Sequence, residues 1–512
     1  MATYDVVVVG AGISGLVCAN FLARDGKRVL LLEQNHQAGG NMSGFRRRGY
    51  YFDGGDQSFE SLGIVFPILR ELGLYDPNDW IKADFRMVSE DFDFTIDSVE
   101  TVQEALATAF PNETGIKDVF REVKEVSKFL SANYTPDSFP LLDRYSVPRL
   151  ALYANMLTRL LRWTTYAYRE KALSVIKDDA LRRWFTQIGY FRMPYLFFAG
   201  FWHIWAYDYW YPKGGMQAFH NRLAAAFEKA GGTIMYNRLV TGFSLSGRRA
   251  DAVVLADGTE IEARDFVYAG DYKKLVDSIL GPELFNARYV ERIRSTRLTE
   301  EIVTVYLGVD RDPEAMDKLL RSHHPFYFPN YDVVFPDKSS PRDVHRRMWV
   351  ALNHFNKESP AAPPGKTTLT LQTYSAYDWE NYWHNGGPGL PRTPEYEEFK
   401  REVGDQLVET AERLVPDLKS DIDYMDVGTP LSLERFTRNS RGSTGGWCYD
   451  DKVSPVWRLP TLNRIKTPVK NIRASGHYAL WPGGVISAAL CGRIVANLVA
   501  GRRALTPLTT AS

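Results

Sequence analysis

Val6-Val7-Val8-Val9-Gly10-Ala11-Gly12-Ile13-Ser14-Gly15 is the stretch whose reading decides the fold. Four β-branched residues in a row predict a buried parallel strand. A Gly-x-Gly-x-x-Gly turn follows at once. Leu16 to Arg24 then reads as a helix closed by Gly26, and Arg28 to Leu32 as a second strand with Glu33 at its end. Each residue of such a unit has a task. Gly10 allows the tight turn, Gly12 lets a pyrophosphate approach the backbone, and Gly15 lets the helix pack on the strand. Ile13 and Ser14 sit in the first helical turn, where free N–H groups and the helix dipole favour phosphate.

Glu33 lies 23 residues after Gly10 and would accept hydrogen bonds from a ribose, with Gln34 beside it. A carboxylate there favours FAD or NAD over NADP. The choice between the two turns on the residues that follow. Gly39-Gly40-Asn41 and then Gly49-Tyr50-Tyr51-Phe52-Asp53-Gly54-Gly55 form an extended, glycine-rich excursion. An NAD domain would continue instead with a third strand of the same sheet. The C-terminal end repeats the pattern. Asn471 to Gly476 reads as a strand running into a glycine, His477 to Pro482 as a loop, and Gly483-Gly484-Val485 as the opening of a helix over Ile486–Leu498.

Between these ends, helices are expected over Ile64–Leu74, Val119–Leu130, Gln217–Ala230 and Tyr396–Leu414. Strands are expected over 233–237, 239–245, 252–255, 260–263, 266–269, 302–309, 348–353 and 368–373. Residues 184–211 contain fourteen aromatics, half the window against 13% for the chain. That density suits a deep apolar tunnel or a lipid-facing mouth more than an ordinary core. Phe198, Trp202, His203 and Trp205 are the expected tunnel residues. Residues 144–192 carry ten Arg or Lys against three acids, with Leu150, Tyr153, Leu157, Leu160 and Leu161 at helical spacing. A basic amphipathic helix fits an anionic membrane surface, but a solvated cationic face is the commoner outcome.

Composition narrows the function classes. The 512 residues include 62 Lys or Arg and 62 Asp or Glu, a zero balance that argues against a dedicated nucleic-acid binder. Three widely spaced cysteines fit a reducing compartment, and neither they nor the nine histidines show metal-ligand spacing. No apolar run is long enough to span a bilayer and no signal-peptide core is visible. The expected location is the cytoplasm, with peripheral attachment to the inner membrane face as an alternative.

The N-terminal unit, the Pro212–Met216 break and the Gly476–Val485 segment resemble the phytoene desaturase-like flavoproteins. This is the branch of the amine-oxidase superfamily that holds carotenoid desaturases, carotenoid isomerases and retinol saturases. The resemblance implies an α/β chain: a discontinuous Rossmann-like FAD-binding domain, with a second mixed-sheet plus helical substrate domain. The first would comprise 1–75, 212–280 and 426–505, the second 76–211 and 281–425, leaving 506–512 as a tail. It implies non-covalent FAD, with Gly40 and Asn41 after the acid, Val240 at the adenine, Gly476 and His477 at the pyrophosphate and ribityl chain, and Gly484 and Val485 near the flavin ring. Cys448 sits in a glycine-rich stretch like that of covalent amine oxidases. Gly442, Gly446 and Trp447 also match a pattern that needs no cysteine.

Two departures favour the isomerase- or saturase-like members. Asn41 stands where bacterial desaturases often carry Arg, and His477 where many relatives carry an acid. The implied function is desaturation, saturation or cis–trans isomerisation of a long apolar, isoprenoid-like substrate by hydride transfer at the flavin. Asp56, Gln57, Tyr478 and Trp481 are weak candidates for catalysis. Two alternatives stand beside it: a flavin amine oxidase, and a non-enzymatic prenyl or lipid carrier of the same fold. The intact Gly10, Gly12, Gly15 and Glu33 count against the carrier.

Overall fold

The computed structural model describes residues 4–55, 58–137, 158–159, 161–189, 193–299, 301–331, 341–346, 349–352, 360–448, 464–480 and 483–504. Asp56, Gln57, Trp481, the 506–512 tail and Leu150, Tyr153, Leu157 and Leu160 of the basic segment lie outside the described residues.

Two seven-stranded sheets organise the molecule. In the first, Ile472–Ala474, Glu260–Tyr268, Tyr4–Val9, Val29–Leu32 and Thr233–Met235 lie side by side and parallel. Val6, Val7 and Val8 are at most 1% exposed, as the β-branched run requires of a strand covered on both faces. Val240–Ser246 and Arg249–Leu255 form an antiparallel hairpin that joins the sheet along Glu260–Tyr268. The sequence suggests two strands there, broken at Arg264-Asp265. The structure has one, because its first half pairs with the hairpin and its second half with Ile472–Ala474.

Two helices, Ile13–Arg24 and Gly484–Val499, pack against each other. They touch at their smallest residues. A Cβ on Gly492 would lie 2.4 Å from the Ser14 carbonyl oxygen, and one on Gly15 would lie 1.9 Å from the Gly10 carbonyl oxygen. Any side chain at either position would push the C-terminal helix or the glycine turn out of place.

The second sheet runs in the order Ile422–Gly428, Glu301–Val309, Thr367–Ser375, Trp349–Leu352, His324–Tyr327, Phe85–Val88, Asp93–Thr95. It is mixed: His324–Tyr327 pairs in parallel with Phe85–Val88, and the other pairs are antiparallel. The expected boundary at 425/426 cuts the strand Ile422–Gly428, whose pairing reaches Gly428 opposite Thr304. One face of the sheet buries Val303, Val305, Leu371 and Trp349 with the amphipathic helix Pro394–Ala411. The alternation of strand side chains leaves the other face to a cavity.

The glycine-rich excursion becomes a hairpin, Gly44–Arg47 with Tyr50–Asp53. Its anchor is Asp53, fully buried, which accepts from the Tyr51 hydroxyl, from the Tyr211 hydroxyl at 2.9 Å and from the Met216 N–H at 2.9 Å. One carboxylate thus ties the excursion to the Pro212–Met216 break.

Two buried histidines make the fold acid-sensitive. Burial pushes the imidazoles of His203 and His220 down to about 4. His203 Nδ1 lies 2.9 Å from the Ser127 hydroxyl and His220 Nδ1 lies 2.8 Å from the Met216 carbonyl. Both folded values are below the ordinary value of about 6.5, so the unfolded chain holds more protons between them. Stability is then full above about pH 6.5 and falls as pH drops toward 4, by something on the order of 3 kcal/mol for each group. Melting temperature against pH should show this loss, and His220→Gln should reduce its slope.

Candidate functional site

A cavity of about 940 Å3 runs from the carboxyl ends of the parallel strands to the second sheet. This is where ligands sit in open α/β sheets. Its polar half is built by the two glycine turns. Gly10, Gly12, Ile13, Ser14, Glu33, Gln34, Gly40, Asn41, Val240, Gly476, His477, Gly484 and Val485 all line it. Gly15 lies behind this wall, packed on Gly10.

The geometry of the polar half is tight. Glu33 is 5% exposed, and its two oxygens accept the Ala11 N–H at 2.8 Å and the Asn35 N–H at 2.9 Å. Burial raises its carboxyl, while these amides oppose the rise. The Ser14 and Ser475 hydroxyls meet at 2.7 Å, so the opening and closing turns are hydrogen-bonded together. Asn41 donates to the Thr444 carbonyl at 3.0 Å and accepts from Asn439 at 3.0 Å. It therefore braces the 439–445 loop.

His477 lines the cavity, and burial pushes its imidazole down to about 4, so the ring is neutral. Its Nε2 is buried without a hydrogen-bond partner. Beside it, Tyr478 is 3% exposed and lines the cavity, and its ring meets Trp447 edge-on at 5.4 Å. Trp447 Nε1 donates to the Tyr478 carbonyl at 2.8 Å.

The other half is apolar and lies between the second sheet and the helix Tyr195–Tyr207. Phe85 and Met87, Phe326, and Val350 and Leu352 reach it from alternate sheet positions. From the helix come Leu196, Phe197, Gly200, Phe201, Ile204 and Trp205.

Trp205 is thus in the wall, but Phe198, Trp202 and His203 are not, contrary to the expected tunnel. Phe198 stacks on Tyr168 at 4.5 Å and Trp202 packs against Trp184 and Phe120. His203 bonds Ser127. Phe198 and Trp202 lie one turn apart, and all three side chains serve the helical core. The dense aromatic segment is therefore both core and cavity wall.

Several lining residues carried no local signal. Ser58 and His324 form a polar pair, 3.0 Å apart, with Phe85 stacked on the imidazole at 4.8 Å. Gln187, Gln372 and Asp271 also line the cavity. All are single polar residues in strands, loops or a short helix, and only the tertiary fold assembles them.

The residues present fit a dinucleotide. A Cβ built on Gly12 meets nothing within 4 Å, so the first turn of the helix faces open cavity. Together with the acid at Glu33, this supplies phosphate-facing amides and a ribose acceptor.

The family described as flavin containing amine oxidoreductase matches residues 13–500. All-trans-retinol 13,14-reductase of Danio rerio is 25% identical over 96% of this chain and 86% of that protein. The 4,4'-diaponeurosporene oxygenase of Staphylococcus aureus (strain MW2) is 23% identical over 98% of this chain and 99% of that protein. Among solved structures, putrescine oxidase bound to putrescine superposes with a TM-score of 0.64 at 17% identity, covering 98% and 99% of the two chains. An oxidoreductase from Methanosarcina mazei does so at 0.60 and 13%, covering 95% and 98%.

Proposed function

Since the chain belongs to the flavin-containing amine oxidoreductase family and is an FAD-dependent oxidoreductase, we propose that it acts on C–C or C=C bonds of a long apolar, isoprenoid-like substrate. The observation that carries this reading is the continuity of one cavity: the dinucleotide turn opens directly into a chamber walled by aliphatic and aromatic side chains. Such a chamber can hold a long hydrocarbon without an ion pair, because each Å2 of apolar surface removed from water contributes about 25 cal/mol. The names of the two relatives, a retinol reductase and a carotenoid oxygenase, point to the same substrate class.

FAD, when bound, exchanges hydride with a carbon centre. In this reading Gly12, Ile13 and Ser14 face the pyrophosphate and Glu33 accepts from the ribose. Val240 would border the adenine, the backbone at Gly476 and His477 would meet the pyrophosphate and ribityl chain, and Gly484 and Val485 would present a helix start to the ring system. Tyr478 and Trp447 support the loop that carries His477. Cys448 is not among the residues lining the cavity, which favours non-covalent attachment.

Incubating the holoenzyme, in oxidised and in chemically reduced form, with isoprenoid polyenes and measuring the mass of the extracted lipid tests the reading. Loss of two hydrogens identifies desaturation, gain of two identifies saturation, and a changed geometry at constant mass identifies isomerisation. Peroxide release with amines, and no change in any polyene, would replace it with amine oxidation.

A further inference from the structure

Among the described residues, Glu33, Asp271 and Glu60 bring carboxyl groups to the cavity wall. Glu33 and Asp271 accept backbone N–H groups within the polar half, Asp271 from Lys273 at 2.6 Å and from Ser440 at 2.6 Å. Glu60 is placed differently. It lies in an extended stretch in which Ser58, Glu60 and Leu62 line the cavity, while Phe59 and Ser61 are buried behind it. A strand-like backbone imposes that alternation.

The stretch is pinned on both sides of Glu60. Phe59 exchanges backbone hydrogen bonds with Trp210, at 3.0 and 2.8 Å, and its ring packs on Trp80 and Phe219. The Asp208 carboxyl group is 1% exposed. It accepts the N–H groups of Ser61 at 3.2 Å and Leu62 at 2.7 Å, and the Trp210 indole N–H at 2.7 Å. Burying a carboxyl group is costly unless its hydrogen bonds are met, and here they fix two consecutive amides of one short segment. A reacting side chain needs a support of this kind.

Glu60 faces the junction of the two halves of the cavity. A Cβ on Gly484 would lie 3.6 Å from Glu60 Oε1, and Gly484 opens the helix assigned above to the flavin ring. Two residues earlier, Ser58 bonds His324, whose imidazole stacks on Phe85 of the apolar chamber. The carboxyl group thus stands between the ring end of the polar half and the hydrocarbon wall. A carbon exchanging hydride with the ring would lie there.

We propose that Glu60 is a catalytic acid and base, exchanging a proton with one carbon of the reacting bond while its neighbour exchanges a hydride with the flavin. This rests on the reading of the cavity given above. In saturation, the Glu60 carboxyl group gives its proton to one alkene carbon and the other takes a hydride from the reduced flavin. The π bond is lost, two C–H bonds form, the flavin is left oxidised and Glu60 is left as a carboxylate. Desaturation is the reverse. A reduced flavin is anionic near neutral pH, so a carboxyl group beside it holds its proton more tightly after reduction than before. The other titratable groups around the segment are His324 beyond Ser58, Asp208 behind Ser61 and Leu62, and His477, which burial keeps neutral.

The first arm of the test uses the full-length holoenzyme without substrate. The flavin midpoint potential is followed between about pH 6 and pH 8 in wild type, Glu60→Gln and Glu60→Asp. Each proton taken up with the two electrons is a tenfold change in equilibrium constant per pH unit, about 30 mV. Wild type and Glu60→Asp should take up one more proton than Glu60→Gln, and their potentials should fall more steeply with pH by about that amount. Glu60→Ala should match Glu60→Gln and serves if the Gln variant does not fold. A merely structural glutamate would leave the slopes alike. In the second arm, phytoene is given to the oxidised holoenzyme and lycopene to the reduced one. Glu60→Gln should lower kcat about a hundredfold or more with little change in KM. Equal slopes, or equal kcat, in wild type and Glu60→Gln overturn the assignment of Glu60 while leaving the apolar chamber standing. Conversion of neither polyene by wild type overturns the isoprenoid reading itself, and this one with it.

Discussion

A Gly12→Val variant is expected to fold like the wild type and to purify without flavin. The backbone at Gly12 is extended, with φ −72° and ψ 175°, so a valine is sterically at ease there. Its Cβ would meet no protein atom within 4 Å. The added side chain therefore costs the apoprotein little and occupies the space before the first helical turn where a pyrophosphate must come close. FAD affinity should fall at least about a hundredfold, equivalent to roughly 2.7 kcal/mol. Circular dichroism and melting should stay near wild type, and the visible spectrum should lose its flavin bands. Gly15→Ala is the contrasting case. Its Cβ would lie 1.9 Å from the Gly10 carbonyl oxygen, so it should damage the fold together with the site.

The second large effect is expected at the opposite end of the cavity. Gly200 lies mid-helix in Tyr195–Tyr207 and lines the apolar chamber. A Cβ there has Leu130 Cδ1 as its nearest neighbour, at 3.8 Å, an ordinary contact. Gly200→Phe should fill the chamber and relieve a helix of its glycine, a change worth about 0.5–1 kcal/mol in propensity. Flavin content and spectrum should remain those of wild type. The kcat/KM for a long isoprenoid should drop about a hundredfold or more, since the chain can no longer lie in place. The two substitutions thus separate cofactor from substrate within one continuous space. Flavin retained in Gly12→Val, or long-chain turnover retained in Gly200→Phe, would break the assignment of that end.

The dinucleotide unit was legible because its information is local. Val6–Val9, the three glycines and Glu33 each do their work within a few residues of one another or across one strand pair. The closing turn was legible for the same reason, although the Ser14–Ser475 hydrogen bond that joins it to the opening turn spans the whole chain. The aromatic helix was not legible in the same way. Tyr195–Tyr207 is apolar on nearly every side, so its sequence carries no amphipathic phase to tell the cavity face from the core face. Phe198 and Trp202 pack on Tyr168 and Trp184, a placement that such a sequence does not announce. The strand Glu260–Tyr268 hid behind Arg264 and Asp265, which propensity reads as a break and the two-partner pairing overrides. Gln187 and the Ser58–His324 pair are single polar residues whose meaning depends on which wall they reach, and no spacing rule announces that.

The most direct test of a flavin and an apolar chain sharing one cavity is spectroscopic. Without oxygen, an isoprenoid alkene is added to the oxidised holoenzyme and, separately, to the reduced holoenzyme, and the flavin band at about 450 nm is followed alongside the extracted lipid. The cavity as described predicts that the alkene perturbs or restores that band, with a matching change in its double bonds, and that Gly200→Phe abolishes both. A flavin spectrum indifferent to every isoprenoid alkene, yet responsive to an amine, would contradict it.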